Sequence, residues 1–305
     1  MKILVFTEKP FASNAVKAIA DTINSSGNEL KLVEMGTRED LLEAVKDAEG
    51  LIVRSDKVDE QIMESAPKLK VIVRAGAGYD NIDLDAATKH GICVMNTPGQ
   101  NSNAVAELVF GMVVMMCRNQ YNGKSGSELK DKNLGIYAFG QVGRNVARIA
   151  KGFGMKISAL DKFVPDAVME AEGISPVHDV DALFSENDFV SLHIPATPET
   201  KGSIGYDLVM KMPKGGVLVN TARKEVIDEA GLIKALEERP DLRYVSDVKP
   251  DMAQEFEEKF GARVFFTPKK MGAQTAEANF NAGVAAAEQV LSYLKDGWNK
   301  YQVNK

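Results

Sequence analysis

Short runs of consecutive apolar residues recur along the chain, and between them the apolar positions space out to every third or fourth residue. The runs are "KILVFTE", "LKLVEM", "GLIVRS", "KVIVRAG" and "GICVMNTP", then "NLGIYAFG", "MKISALD", "FVSLHIP", "GGVLVNTA", "LRYVSDV" and "RVFFTP". Strands that are apolar at successive positions are covered on both faces, which is the habit of parallel sheets. The intervening stretches, such as "NAVKAIADTINSSG" and "EAGLIKALEER", carry helical spacing. The alternation predicts an α/β chain of two doubly wound parallel-sheet domains, Rossmann-like or flavodoxin-like.

Two groups of strands are separated by "SNAVAELVFGMVVMMCRN", read as one apolar helix from about Asn103 to Arg118. A polar linker, "QYNGKSGSELKDKN", follows it. The pattern places a first domain at 1–100 and a second at 101–278. The last helix, within "NFNAGVAAAEQVLSYLKDGW", has an alanine face (Ala282, Ala285, Ala286, Ala287) suited to close packing. Pattern alone leaves open which domain it joins.

Composition narrows the function. With 305 residues, 45% of them hydrophobic, the chain has length enough for two domains with cores of their own. A net charge of −6 excludes a broad basic surface for nucleic acid, while a few local cations still suit a small anionic substrate. Cys93 and Cys117 form neither a disulfide scaffold nor a CxxC pair, and no metal is assigned. Met1 runs straight into the first strand without a leader pattern, and no apolar run reaches ~18 residues. The expectation is a cytoplasmic protein without a membrane partner.

"LGIYAFGQVGRNVARIAKGFGMKISALD" is the most informative stretch. A strand runs into Ala138-x-Gly140-x-x-Gly143, a helix follows, and a second strand ends at Asp161, 18 residues beyond Gly143. This is a dinucleotide fingerprint with alanine at its first glycine. Gly140 lets the backbone approach a pyrophosphate, and Gly143 lets helix and strand pack closely. Gln141 and Val142 open the helix, whose free amides and dipole favour phosphate. Alanine at position 138 costs turn freedom if φ must be positive. Asp161 suits a ribose 2′-hydroxyl and repels a 2′-phosphate, which argues for NAD over NADP, although Lys162 stands beside it.

With that site in place, the chain resembles the D-2-hydroxyacid dehydrogenases over almost its full length, and within them the phosphoglycerate dehydrogenase subgroup. The resemblance is carried by "LIVRSDKVD", "PKLKVIVRAGAGYDNIDLDAATKHGICVMNTPGQNSNAVAE", "SLHIPATPETKGSIG", "GGVLVNTARKEVIDEAGL" and "SDV". It implies a substrate domain of 1–100 plus 279–305, an NAD domain of 101–278 and a cleft between them. It implies that Arg223 holds the substrate carboxylate and polarises the C2 oxygen, work suited to a fixed, permanently charged fork. The amides of Ala75, Gly76 and Ala77 would bind the same carboxylate, with Asn101 on the substrate side. His193, Pro195, Thr200, Thr221, Ala222 and Gly272 would lie along the cofactor, and Asp247 would face the nicotinamide carboxamide. Arg54 and Ser55 are the choices for a distal phosphate. A homodimer through about 103–118 is also implied, as is the absence of the C-terminal regulatory domain of longer members.

Two departures concern the acid–base pair. Where members carry a histidine, this chain reads "PKKMGAQT", and where they carry its glutamate partner it has Met252. Counting back from "GAQT" selects Lys270; counting from Pro268 selects Lys269. The downstream glycine anchors the register, so Lys270 is preferred. A lysine starts at about 10.4, and bringing it down to near neutrality corresponds to roughly 4 kcal/mol of disfavoured ammonium. A glutamate would work against that, whereas methionine and the Arg223 cation favour the neutral amine. The expectation is NAD-dependent oxidation of D-3-phosphoglycerate with Lys270 as base, placing the chain in serine biosynthesis. Alternatives are a glyoxylate or hydroxypyruvate reductase and a non-catalytic NAD(H)-sensing protein.

Overall fold

Residues 1–304 are described in the computed structural model, and their contacts divide the chain into two units. Unit 1 is Met1–Asn101 with Gln274–Lys305; unit 2 is Ser102–Ala273.

Unit 1 holds five parallel strands, β1 (Lys2–Thr7), β2 (Glu29–Glu34), β3 (Gly50–Val53), β4 (Val71–Arg74) and β5 (Cys93–Asn96). Their order is β2-β1-β3-β4-β5. Every residue of β3 and β5 is buried, as the continuous apolar runs require. One face packs on Leu41, Val45, Ile62 and Ala87. The other packs on the helix Ser13–Ser25 and on the last helix, Ala276–Asp296, through Ile19, Ala282, Ala286 and Val290. The alanine face brings those two helices so close that a side-chain carbon added at Gly283 would meet Ile19 Cδ1 at 2.8 Å. Thr275 caps the last helix by accepting from Ala278 N–H, and left-handed Gly297 ends it. Beyond it, Val303 and the Asn304 side chain hydrogen-bond Val94, covering the free edge of β5.

Unit 2 holds seven parallel strands: β6 (Asn133–Tyr137), β7 (Lys156–Leu160), β8 (Ser175–Pro176), β9 (Phe189–Leu192), β10 (Val217–Asn220), β11 (Arg243–Ser246) and β12 (Val264–Phe266). Their order is β12-β11-β10-β9-β6-β7-β8. With only two residues, β8 is too short to show in the apolar pattern. The order reverses between β6 and β9, so the loops leaving their carboxyl ends diverge and open a crevice.

The apolar helix Ser102–Cys117 buries Ala106, Val109, Phe110, Met112, Val113 and Met116 in unit 2's own core. Its exposed positions are Asn103, Glu107 and Gly111. The apolar surplus that argued for a partner copy is therefore largely absorbed within the unit. Among the described residues, no helix is long and apolar enough to cross a membrane.

Candidate active site

The turn after β6 is built from three different constraints. Ala138 sits at φ +80°, in the left-handed region that costs a residue with a side chain about 1–2 kcal/mol. Gly143 has no alternative, because an added carbon would lie 2.3 Å from the carbonyl oxygen of Ala138. Gly140 differs from both. An added carbon there meets nothing within 4 Å, and its φ of −78° needs no glycine. It caps the helix Gln141–Gly152 without a side-chain hydrogen bond. The helix thus offers bare backbone and its first amides, those of Gln141 and Val142 among them, where a phosphate fits.

Asp161 lies at the end of β7. Its carboxylate accepts Phe139 N–H at 2.8 Å and Phe163 N–H at 2.8 Å, so the turn itself aims it. The neighbouring Lys162 pairs with Glu199 at 3.2 Å. Asp161 thus stands at the strand end beside a lysine paired with Glu199, an arrangement that fits NAD.

The second half of the site hangs from β10. The buried Asn220 accepts Ala222 N–H and donates to the Arg223 carbonyl, both at 2.9 Å, and so shapes the turn that presents Arg223. Sequence reading missed Asn220; an amide closing a strand before a turn was the available signal. Arg223 Nη1 donates to the carbonyl of Ala222 at 3.0 Å, and Lys270 Nζ donates to the same oxygen at 3.3 Å. Lys270 and Arg223 thus share one acceptor on the turn after β10. Lys270 is nonetheless exposed, without the dry surroundings expected for its amine.

Asp247 is fully buried. Its oxygens accept Met271 N–H at 2.6 Å, Gly272 N–H at 2.7 Å and the Thr267 hydroxyl at 3.1 Å. Met252 packs against the cluster around Phe256, and its amide donates to Glu229 at 2.7 Å. His193 lies between Ser191 Oγ, 2.9 Å from Nε2, and Thr221 Oγ1, 3.4 Å from Nδ1. Part of the residue remains accessible, but the protein packed around its ring lowers the pKa from the ordinary histidine value to about 3. His193 therefore stays neutral near pH 7 and offers no acid to replace the missing histidine. Thr200 closes the next loop by donating to the Pro195 carbonyl at 2.5 Å and accepting Thr197 N–H at 2.8 Å.

In unit 1, the turn Ala75–Gly76–Ala77 follows β4. Gly76 takes φ +149°, and an added carbon would fall 1.4 Å from Arg74 Nη1. Arg74 Nε donates to the Arg54 carbonyl at 2.8 Å. Asn96 Nδ2 donates to the Ala77 carbonyl at 2.6 Å, and Thr97 N–H to that of Gly76 at 3.0 Å. Arg54, chosen for a distal phosphate, spends donors on Lys9 O, Pro10 O and Asn279 Oδ1, the last at 2.6 Å, and lies over the Phe11 ring. Ser55 beside it is exposed, and half-buried Asn101 ends the unit. Sequence reading passed over Arg74, whose signal was an arginine closing a strand just before a glycine-rich turn.

Comparison with known proteins places this geometry. Residues 105–268 match the family described as D-isomer specific 2-hydroxyacid dehydrogenase, NAD binding domain. The chain is 37% identical to D-3-phosphoglycerate dehydrogenase of Methanocaldococcus jannaschii, covering 97% of this chain but 58% of that protein. The chain thus spans little more than half the length of that relative. It is 35% identical to glyoxylate reductase of Thermococcus litoralis, covering 87% of this chain and 86% of that one. The crystal structure of NAD+-bound 3-phosphoglycerate dehydrogenase of Entamoeba histolytica is similar with a TM-score of 0.90 and 50% identity, covering 100% of this chain and 99% of that one.

Proposed function

The chain belongs to the D-2-hydroxyacid dehydrogenases, and from that membership we propose that it oxidises D-3-phosphoglycerate with Lys270 as the base. The observation that carries the reading is the shared acceptor: Lys270 Nζ and Arg223 Nη1 both hydrogen-bond the Ala222 carbonyl. Both side chains therefore converge on one point at the turn after β10. NAD supplies the hydride acceptor. Lys270 takes the C2 hydroxyl proton as the C2–H bond gives up its hydride. Arg223 offers the developing carbonyl oxygen and the carboxylate a planar pair of donors. Lys270 is exposed as it stands, so cofactor and substrate must supply the desolvation that its neutral form needs.

In unit 1 the proposed substrate groups are the amides of Ala75, Gly76 and Ala77, with Asn101. Arg74 joins Arg54 as a source of positive charge for a phosphate, because its guanidinium lies against Gly76. The competing reading is a reductase of glyoxylate or hydroxypyruvate. It gains from the donors Arg54 has already spent within its own unit and from the likeness to a glyoxylate reductase.

A kinetic screen of 3-phosphoglycerate, glycerate and lactate with NAD and NADP decides between them. The proposal expects turnover that depends on the phosphate and on NAD. Equal or better rates with glycerate favour the reductase, and NADH binding without any turnover favours a sensor. We also propose a homodimer for this family member, for which light scattering at micromolar concentration is the measurement. A clean monomer contradicts it.

A further inference from the structure

We propose that Glu199 is a cofactor-specificity residue: it holds Lys162 across the crevice of unit 2, so that this ammonium is withheld from a 2′-phosphate and NADP gains nothing from it. Its ligand rests on the NAD-binding reading above, and the device itself on the geometry of two loops.

Asp161 ends the β7 run and repels a 2′-phosphate, but the next residue is a lysine, which taken alone would attract one. What that lysine does therefore decides how far the two cofactors are told apart. Lys162 Nζ donates to Glu199 Oε2 at 3.2 Å and lies 5.1 Å from the centre of the Phe163 ring. Glu199 belongs to the loop that leaves β9. Strand β6 lies between β7 and β9 and pairs with both, so the loops carrying Lys162 and Glu199 leave the sheet two strand spacings apart, roughly 10 Å. The ion pair thus reaches across the turn after β6, whose bare backbone suits a pyrophosphate. A dinucleotide entering the crevice meets this pair on the side where Asp161 stands.

Both ends of the pair stand on braced backbone, and only the side chains are left to move. Asp161 Oδ1 accepts Phe163 N–H at 2.8 Å and Val164 N–H at 3.3 Å, which folds the chain around Lys162 into a tight turn. On the other loop, Thr200 N–H donates to the Thr197 carbonyl at 3.1 Å, and the Thr200 hydroxyl donates to the Pro195 carbonyl at 2.5 Å. The two charged side chains are 66% and 76% exposed, so the pair adds little to stability and can be exchanged for a better partner. A phosphate dianion is such a partner, with three acceptor oxygens and a double charge for a compact, flexible ammonium. With Glu199 in place, the exchange must break an ion pair and leave a carboxylate beside the phosphate. Repulsion built against the wrong ligand gives specificity without a contact to the right one. Without Glu199, Lys162 would offset part of the repulsion that Asp161 exerts on a 2′-phosphate.

The test compares E199Q, K162M and the double variant with the unmodified chain. NADH and NADPH are titrated by nicotinamide fluorescence at low and high salt, and the ratio of the two Kd values is read. Glutamine keeps the shape of glutamate, and the exposure of both positions leaves Tm close to unchanged. E199Q is expected to lower the NADPH-to-NADH ratio about fivefold or more, chiefly by tightening NADPH. Raising the salt should shrink that gain, because it is an attraction between exposed charges. In the K162M background the same change at Glu199 should move the ratio less than about twofold, since no ammonium is left to release. A ratio in E199Q equal within error to that of the unmodified chain overturns the proposal while leaving NAD binding intact. An equal gain with and without Lys162 also overturns it, for Glu199 would then act on the phosphate directly. If the unmodified chain binds neither dinucleotide, the NAD reading fails and takes this device with it.

Discussion

Two turns, one per unit, leave the carboxyl end of a parallel strand and place a glycine in the same role, yet they use its missing side chain in opposite ways. At Gly140 an added carbon meets nothing within 4 Å, whereas at Gly76 it would strike the Arg74 guanidinium at 1.4 Å. In unit 2 the bare backbone is left facing outward at an uncapped helix start, where a phosphate is favoured. In unit 1 the protein itself occupies the room, and what results is a fixed cation beneath a turn. A glycine after a strand therefore says only that something must come close. What lies within reach of the absent carbon says whether that something is a ligand or the chain.

The contrast is broken most forcefully from the chemistry side. Lys270→Met removes the amine that shares the Ala222 carbonyl with Arg223. Loss of a general base is expected to lower kcat by about 10²–10⁴, with NADH affinity and Tm close to unchanged. Stopped-flow rates and cofactor titration check it. Near-normal turnover would mean that unit 2 presents no base here, and an equal loss in Lys269→Met would move the assignment one residue.

Gly76→Ala is expected to do the reverse, harming stability rather than the chemical step directly. Its φ of +149° is a region for glycine, and the new carbon must displace a guanidinium that is anchored to the Arg54 carbonyl. A cost of about 2 kcal/mol follows, or a fall of about 4–8 °C in Tm by calorimetry. A melt unchanged within error would show that Arg74 moves aside freely and that the turn is not filled.

These two sites also mark how far sequence carries. The strand runs were legible because both faces of each sheet are covered, so "GLIV" and "CVMN" are buried at every position. The proposed site residues, Arg223 and Lys270 among them, came from resemblance rather than from pattern. What the chain does with its own backbone came from neither. No spacing rule reveals that Arg74 turns back under Gly76, that Asp247 takes the Met271 and Gly272 amides, or that Asn220 bends the turn before Arg223. Such contacts join residues far apart in the sequence through amides and carbonyls, groups that every residue carries. Residue type alone cannot point to them. The dimer argument failed to localise for a related reason: hydrophobicity shows that the helix Ser102–Cys117 is covered, but not by what, and its own unit covers most of it.

Gly140→Ala sharpens the comparison at lower amplitude. The carbon has room and the φ is ordinary, so stability is expected to change by less than about 1 kcal/mol. NADH affinity should fall about 10-fold or more, because the new methyl group stands where a pyrophosphate would approach the backbone. Isothermal titration beside a thermal melt separates the two effects. A lost Tm with affinity retained would reverse the lesson and make Gly140 a packing residue like Gly76.

The smallest effect has the opposite sign. Ala138 holds φ +80° with a side chain, whereas the usual fingerprint has glycine there. Ala138→Gly should recover about 1–2 kcal/mol of backbone strain and lose about 0.4–1 kcal/mol to the greater freedom of glycine in the unfolded chain. A net stabilisation of roughly 0.5–1 kcal/mol remains, seen as a rise of about 1–4 °C in Tm. The chain tolerates the alanine because the turn is over-determined: Ala138 N–H binds the Leu160 carbonyl at 2.8 Å, and the next amide, Phe139 N–H, binds Asp161 at 2.8 Å. Those two bonds hold the strained residue from both sides and fix the Asp161 carboxylate. If the glycine variant is stabilised but binds NADH more weakly, then the stiffness that alanine imposes is part of how Asp161 is aimed. If it is destabilised, the backbone at 138 is not strained, and the turn must owe its shape to Gly143 alone.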